Sequence, residues 1–499
     1  MHEIITLQFG QQANYIGTHY WNIQESYFTY PGQAESPVNH DVSFRAGIGA
    51  NGEDTYTPRT LIYDLKGAFG TLRRENALYE LQRQEGQSQA QRGGWSGVTV
   101  PLQLPPIAPS SYQQALDQGV QPPQLTAETV RYWSDYNHLF YHPRSVVQLN
   151  EYELNSSLMP FERWSSGEDL FSSLDREHDL LDRDLRPFLE ECDQLQGLQV
   201  LTGIDDAWGG FAARYLERIA DDLGKGCRWV FGLSEGKRTA RERQMLQLVN
   251  TAQSLHTINS CASMHLPLTS LPSSLPSYAS INADSRWHTS AVQAALVESV
   301  TLPMRLGQAQ SGSSTFAALE TTLNNDGNRR IAETGLTVEA PVDSEGAMQL
   351  NDARMDMNFF PSMTVGSSAR SAISRSHVFS VASIMRGNYD DEEHPAGDAL
   401  NGDIRFAESS RRTESRTEVL FPMLSSYPRV FRFAEHPDKL SIKCLVSTTS
   451  AVASRIGLVQ SAVREIIGLE DRETLCDSLA SIAEEYEEGF SDVESYDED

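Results

Sequence analysis

Basic charge is scarce in this chain: 40 Lys and Arg stand against 68 Asp and Glu, a net charge of −28 over 499 residues. A surface so short of cations is poorly equipped to displace the counterions of a nucleic acid, which argues against direct nucleic-acid binding. An anionic membrane surface is disfavoured for the same reason. Cysteine is sparse as well. Cys192, Cys227, Cys261, Cys444 and Cys476 are scattered, odd in number and free of any Cys-x-x-Cys pair, which suits a reducing compartment and offers no zinc framework. No apolar run approaches the roughly 18–20 residues of a membrane span. The first residues read as a strand carrying Glu3, with neither a secretory leader nor an Arg-rich presequence. The expectation is a cytosol-exposed protein whose contact with any organelle is peripheral.

Hydrophobic residues make up 39% of the chain, enough for sizeable cores, and the length corresponds to about three domains. Glu3–Phe9 reads as a buried strand broken at Gly10, and Ile16, Tyr20, Ile23 and Tyr27 then mark one face of a helix. The intervening turn, Gly10, Gln11 and Gln12, is where backbone N–H groups meet an anion in a phosphate cradle, although it also reads as a plain β–α turn. Residues 31–56 read as surface loop. Pro58–Leu65 reads as a second buried strand with Asp64 near its C-terminal end, the position from which α/β sheets reach ligands; Lys66 beside it would repel a metal ion. Residues 84–124 read as a long connection with a short strand near Val98–Leu104, and Thr126–Phe140 as a helix. His138 and His142 stand four apart, but Pro143 biases His142 out of a helix and no carboxylate accompanies them. Glu177, His178 and Asp179 read as a solvated charge run.

The most informative stretch runs from Phe188 to Phe211: a helix end, a short apolar strand, a tight turn with Gly209 and Gly210, and a helix over Phe211–Leu223. This is again the layout of a phosphate cradle, yet its loop carries Asp205 and Asp206. Farther on, 254–280 reads as an irregular connection, Ser290–Val300 as a helix and 307–330 as a loop. Strands are expected at His377–Met385, Pro428–Phe433 and Ser441–Ser447, with a polar, acidic insert at 387–403. Two amphipathic helices follow, one with Val452, Ile456, Val459, Val463 and Ile466 on a face, the other with Leu475, Leu479, Ile482 and Tyr486. Glu484–Asp499 holds nine acidic residues and no basic one, and is expected to be a disordered tail for basic partners.

Several blocks resemble tubulin in the right order. They are the opening segment with Gly10, Gln11, Asn14, Ile16, Gly17 and Trp21; Pro58, Arg59, Asp64 and Leu65; Leu181–Arg183, Arg186, Cys192, Leu195–Gly197 and Val200; and Leu216–Arg218, Asp222, Gly224 and Lys225. With Trp133–Tyr136, His142–Ser145 and Glu190–Gly197, the pattern over about 1–310 is most similar to the Misato family, tubulin-like proteins associated with mitochondrial distribution and inheritance. In fungi the family is described in partitioning of the organelle and its DNA, and in animals also with chromosome segregation. The resemblance implies an α/β, tubulin-like fold: a Rossmann-type parallel sheet domain, a smaller α+β domain and C-terminal helices. The expected segments are 1–115 and 120–310 (both Misato/tubulin-like), 311–440 (α+β), 441–488 (a strand and two helices) and 489–499 (acidic tail).

Carried over residue by residue, tubulin's nucleotide site is only partly kept. Gly10 and Gln11 match the first phosphate-contacting turn and Asp64 is retained, but the cysteine after the glutamine is Gln12, the base-contacting glutamine matches Tyr15, and a metal-associated glutamate matches Lys66. Tubulin's glycine loop falls on Asp205–Phe211. Glycines there let the backbone approach phosphate, whereas Ala207 and Trp208 obstruct it. A carboxylate close to phosphate costs roughly 1 to 4 kcal/mol per pair at effective dielectrics of about 80 to 20. Magnesium bridging Asp205 or Asp206 to phosphate would offset part of that, so GTP is disfavoured rather than ruled out. Asn282, Ala283 and Asp284 are similar to the N-x-D motif with which a neighbouring tubulin subunit promotes hydrolysis, though their surroundings favour an ordinary turn. The expectation is a non-enzymatic protein without a cofactor or metal, working through cytoskeletal or mitochondrial-surface protein partners. It is placed in the cytoplasm and, peripherally and cytosol-facing, on mitochondria. The alternative is an active GTP-binding protein that assembles like tubulin.

Overall fold

The computed structural model describes residues 2–72, 107–339, 354–359, 376–387, 405–433 and 437–487, apart from 31, 33, 49–51, 53, 237–238, 273–274, 309 and 467–468. The first strand, β1 (Glu3–Phe9), is buried at every position, as expected at the centre of a parallel sheet covered on both faces. It runs straight into α1 (Gly10–Glu25), the chain turning at Gly10 with φ +84°. Next comes an antiparallel hairpin of β2 (Phe44–Ile48) and β3 (Asp54–Pro58), within the stretch expected as loop. Its anchor is Phe44, buried edge-on against Trp21 with ring centroids 5.7 Å apart.

Strands β4 (Thr60–Lys66), β5 (Val146–Glu153), β6 (Leu195–Gly203), β7 (Cys227–Ser234) and β8 (Met264–Thr269) join β1 in a six-stranded sheet of order β5-β4-β1-β6-β7-β8, every pair parallel. The helices between them are α2 (Ser111–Asp117), α3 (Trp164–His178), α4 (Arg186–Glu190, entered through a π turn at Leu181–Leu185), α5 (Ala207–Leu223) and α6 (Arg241–Cys261). One core beneath the sheet joins α3 and α5 through Phe171, Phe211 and Leu216. The other holds α1 with α7 (Arg286–Thr301), through Ile16, Ile23, Ala294 and Val297.

After α8 (Phe316–Leu323), the chain builds a second sheet from β9 (Glu333–Glu339), β10 (Met355–Asp356), β11 (His377–Arg386), β12 (Arg405–Thr417), β13 (Phe421–Pro422) and β14 (Lys439–Thr449). Its order is β10-β9-β14-β11-β12, with β13 beside β14; only β11 and β12 pair in parallel. Helices α9 (Ala451–Ile466) and α10 (Leu469–Glu484) then return to α6. Val452, Ile456, Val459, Leu475 and Leu479 close a third core on Leu248 and Leu255.

The seam between the halves is α7, buried at every residue from Thr289 to Thr301. At its C-terminal end Glu298 is fully buried between two fully buried cations, Arg305 at 3.2 Å and Arg386 of β11. Gln24 and Tyr27 of the α1 end also donate to Glu298, at 3.2 and 3.1 Å, and Arg386 donates to Tyr27 Oη at 2.6 Å. The network therefore ties the first helix to the second sheet.

Several sequence expectations need correction. Residues 126–140 form no α-helix. Thr126 and Thr129 close a turn on each other, and Asp135 accepts from the N–H groups of Arg131 and Tyr132, so side chains compete with a helical ladder and leave only a 3-10 turn at Trp133–Tyr136. The supposed irregular connection 254–280 begins with the end of α6 and contains β8. The supposed loop 307–330 contains α8, capped by Thr315 Oγ1 accepting from Ala318 N at 3.1 Å. Pro428–Phe433 forms no strand; only an isolated bridge joins Phe431 to Ala279. The strand expected near Val98–Leu104, nearly all of the insert 387–403 and the tail beyond Glu487 lie outside the described residues.

Candidate functional site

β1 and β6 are neighbours at the centre of the parallel sheet, and each turns into a helix at the same edge. The C-terminal edge of such a sheet is where α/β folds receive ligands. A cleft of about 180 Å³ lies there, walled by Gln11, Gln12, Asp205, Asp206 and Trp208, with Glu153, Phe161, Glu162, Glu235, Arg243 and Arg286 also facing it.

On the β1 side, Gln11 Nε2 donates to Asp64 Oδ2 at 2.6 Å and to Ala68 O at 3.2 Å. Asn14 Nδ2 reaches the same Asp64 oxygen at 2.6 Å, and Leu65 N donates to Asp64 Oδ1 at 2.9 Å. Asp64 is fully buried, and that burial pushes its pKa up to about 7 despite these bonds. Gln12 is turned away, donating to Gln293 Oε1 of α7 at 2.6 Å. Tyr15 is buried against Tyr136 and donates to Arg131 O at 3.3 Å.

On the β6 side, α5 starts at Ala207 rather than Phe211, because Asp206 caps it: Asp206 Oδ1 accepts from Trp208 N at 2.9 Å. The carboxylate thus meets a helix N-terminal N–H where a bound anion would. Asp205 Oδ2 accepts from Glu235 N at 2.7 Å. Both aspartates are half-buried in the cleft wall, and burial raises both pKa values, with Asp206 adding to the effect at Asp205. The cation opposite them is Arg286, an exposed side chain whose field favours the ionised forms of Asp206 and Asp64.

Trp208 sets the geometry. Its indole lies so close over Gly10 that a Cβ there would run into the ring. Phe161 meets the indole edge-on at 5.2 Å. Asn250 of α6 fixes the surrounding backbone, donating to Glu162 O at 2.7 Å and Asp205 O at 3.0 Å while accepting from Trp164 N at 3.0 Å.

The structure therefore brings together Gly10, Gln11, Asp64, Asp205 and Asp206, with Gln12 at the margin. Gly209 and Gly210 are not loop glycines. Both are buried in the first turn of α5, where added Cβ atoms would strike Ser254 and the Trp164 carbonyl, so they serve helix packing. His138 bonds Tyr112 Oη at 2.8 Å and His142 accepts from Arg144 N at 3.2 Å, and no cluster of three or more His, Cys, Asp or Glu suited to a metal exists among the described residues. Asn282 and Asp284 form an exposed turn, Asp284 N donating to Asn282 Oδ1 at 3.0 Å. Sequence reasoning missed Glu153, Glu235, Arg243 and Arg286. The position of Glu235 immediately after β7 was the available signal for one of them; Arg286 arrives from α7 and carried none.

A doubly covered parallel sheet with two strand-to-helix cradles at its edge, followed by a seam helix and a second sheet, defines a tubulin-like protein. A tubulin domain model matches residues 122–306 and a Misato segment II tubulin-like domain model matches residues 2–118. The chain is 43% identical to protein DML1 of Phaeosphaeria nodorum with all of both chains covered. It is 45% identical to protein dml1 of Aspergillus oryzae over 98% of each, and 33% identical to protein dml1 of Schizosaccharomyces pombe over 66% of this chain and 70% of that one. The chain belongs to the Misato/DML1 family. No helix among the described residues is long and apolar enough to cross a membrane.

Proposed function

We propose that this chain is a non-catalytic tubulin-fold protein that acts through protein partners in partitioning mitochondria, in inheritance of mitochondrial DNA and in mitochondrial distribution and morphology. One observation carries the non-catalytic part: Trp208 packs onto Gly10 while the Asp206 carboxylate occupies the N–H of the next cradle, so side chains of the protein fill both phosphate-binding turns. The remaining volume of about 180 Å³ falls below the roughly 300–1,000 Å³ of small-molecule sites, and four further carboxylates, Glu153, Glu162, Asp205 and Glu235, face it. The mitochondrial part is supported by family membership. The protein is cytoplasmic and peripheral on the cytosolic face of mitochondria.

Calorimetry of the purified full chain with GTP and magnesium tests the first part, with no heat above dilution expected. Micromolar binding with turnover would establish the alternative, an assembling GTPase, for which the surviving Gly10 turn and the Gln11–Asp64 bond are the supporting observations. Protease treatment of intact mitochondria tests the location. Digestion before lysis is expected, and protection until lysis would sink it.

A further inference from the structure

The loop from β5 to α3 forms one wall of the cleft through Asn155, Ser156, Pro160, Phe161 and Glu162. Between those residues it carries Leu158, 92% exposed, and Met159, 54% exposed. Single exposed apolar side chains are ordinary. This pair differs because its loop is fastened on both sides. Leu154 N donates to Lys66 O at 3.0 Å, Met159 N donates to Ser156 Oγ at 3.3 Å, Phe161 packs on Trp208, and Trp164 N is held by Asn250. An anchored loop is holding two adjacent apolar side chains in water at the rim of a cleft. Inside that rim, Glu153, Glu162, Asp205, Asp206 and Glu235 face two guanidinium groups among the described residues, and Arg243 already reaches Glu235 at 3.5 Å.

We propose that rim and cleft together dock a segment of a protein partner, a lysine or arginine entering towards Asp205 and Glu235 while an adjacent apolar side chain covers Leu158 and Met159. The proposal rests on the reading above that no nucleotide occupies the cleft. Charge selects the occupant. A chain of net charge −28 repels a second copy of itself and an anionic membrane, and attracts a basic segment. Size agrees, since about 180 Å³ suits a single long side chain. Apolar cover over Leu158 and Met159 supplies affinity at about 25 cal/mol per Å² removed from water, before association costs, while the charges set orientation and on-rate.

The test uses the immobilised full chain and a random dodecapeptide display library at physiological salt. Enriched peptides are expected to pair a basic residue with an apolar neighbour. Fluorescence titration should show them binding at least tenfold more weakly to Leu158→Ser/Met159→Ser, whose altered side chains face solvent and leave the melting temperature unchanged. Asp205→Asn/Glu235→Gln should weaken them comparably. Conversion of Glu488, Asp492, Glu494, Asp497, Glu498 and Asp499 to amides should leave affinity within twofold. Enrichment of peptides without basic residues, unchanged affinity in the rim variant, or loss of binding in the tail variant overturns the proposal. So does wild-type binding to phosphatidylserine vesicles that the rim variant loses, which assigns the rim to a membrane. Calorimetry with GTP judges the parent reading separately: failed peptide selection without nucleotide binding sinks the docking surface alone.

Discussion

At the seam between the two sheets, Glu298 is fully buried and answered by Arg305 and Arg386. In the cleft above the parallel sheet, Asp64 is fully buried and Asp205 and Asp206 are half-buried, yet none has a Lys or Arg within ion-pair distance among the described residues. The first group has its counter-charges built in and functions as a pin. The second relies on N–H donors and has elevated pKa values. Within one chain, carboxylates paired with cations hold the fold together at the seam, while carboxylates without such pairs line a cleft.

Breaking the paired side should have the largest effect. Glu298→Gln leaves two buried guanidinium groups without an anion and is expected to lower stability by about 3–5 kcal/mol, read from urea unfolding. An unchanged midpoint would mean that the seam charges hold nothing.

On the unpaired side, Trp208→Ala should cost about 3 kcal/mol, the low end for a buried tryptophan, because water from the cleft can refill part of the space. Combined with Asp205→Gly and Asp206→Gly, it should restore measurable GTP affinity. If affinity stays nil by calorimetry, the backbone path of the turn differs from a working cradle as well.

Acidity should separate the two regions next. Asp64 has a folded pKa raised to about 7 against an ordinary 3.8, so the folded state retains a proton that the unfolded chain has lost across that window. Stability should therefore increase as pH falls from 7 to 5.5, by about 1–2 kcal/mol from this group. Asp64→Asn should reduce the slope of the profile in thermal melts by this share, leaving the part that Asp205 and Asp206 contribute in the same direction. The geometry suits a neutral group. Asn14 Oδ1 has no partner as the amide is oriented, so turning that amide over lets a protonated Asp64 donate to it. The smallest effect belongs to the helix cap. Asp206→Ala should cost about 1 kcal/mol, and Asp206→Asn, which keeps the capping oxygen, should lie within about 0.5 kcal/mol of wild type.

The scaffold of the site was legible because period and punctuation carry it. The apolar run of β1, the break at Gly10 and the aspartate-bearing turn after β6 locate both cradles to within a few residues. The direction of the Trp208 side chain was not legible, since a bulky residue in a glycine loop reads as obstruction whether it points inward or out. Helix α6 was half missed for a related reason. Asn250, Ser254 and Thr257 make it look polar, yet they are buried, and Asn250 and Ser254 bond backbone carbonyls of the cleft turns. Buried polar residues with partners look like loop in a sequence because burial and pairing are tertiary facts. Arg286 and Arg386 illustrate the same limit across longer distances.

The Tyr27–Arg386 bond also bears on how this chain is made. Its partners are 359 positions apart, and Gln12 and Gln293 are separated by 281. At about 5–20 residues per second, a ribosome needs roughly 20 to 70 s after Tyr27 to deliver Arg386. Until Thr301 is made, the apolar face of α1, with Ile16, Tyr20 and Ile23, has no complete α7 to rest on, and β11 of the second sheet follows later still. Helix α1 is thus among the elements that wait longest for their final contacts, so newborn chains should depend on chaperones that shelter its apolar face.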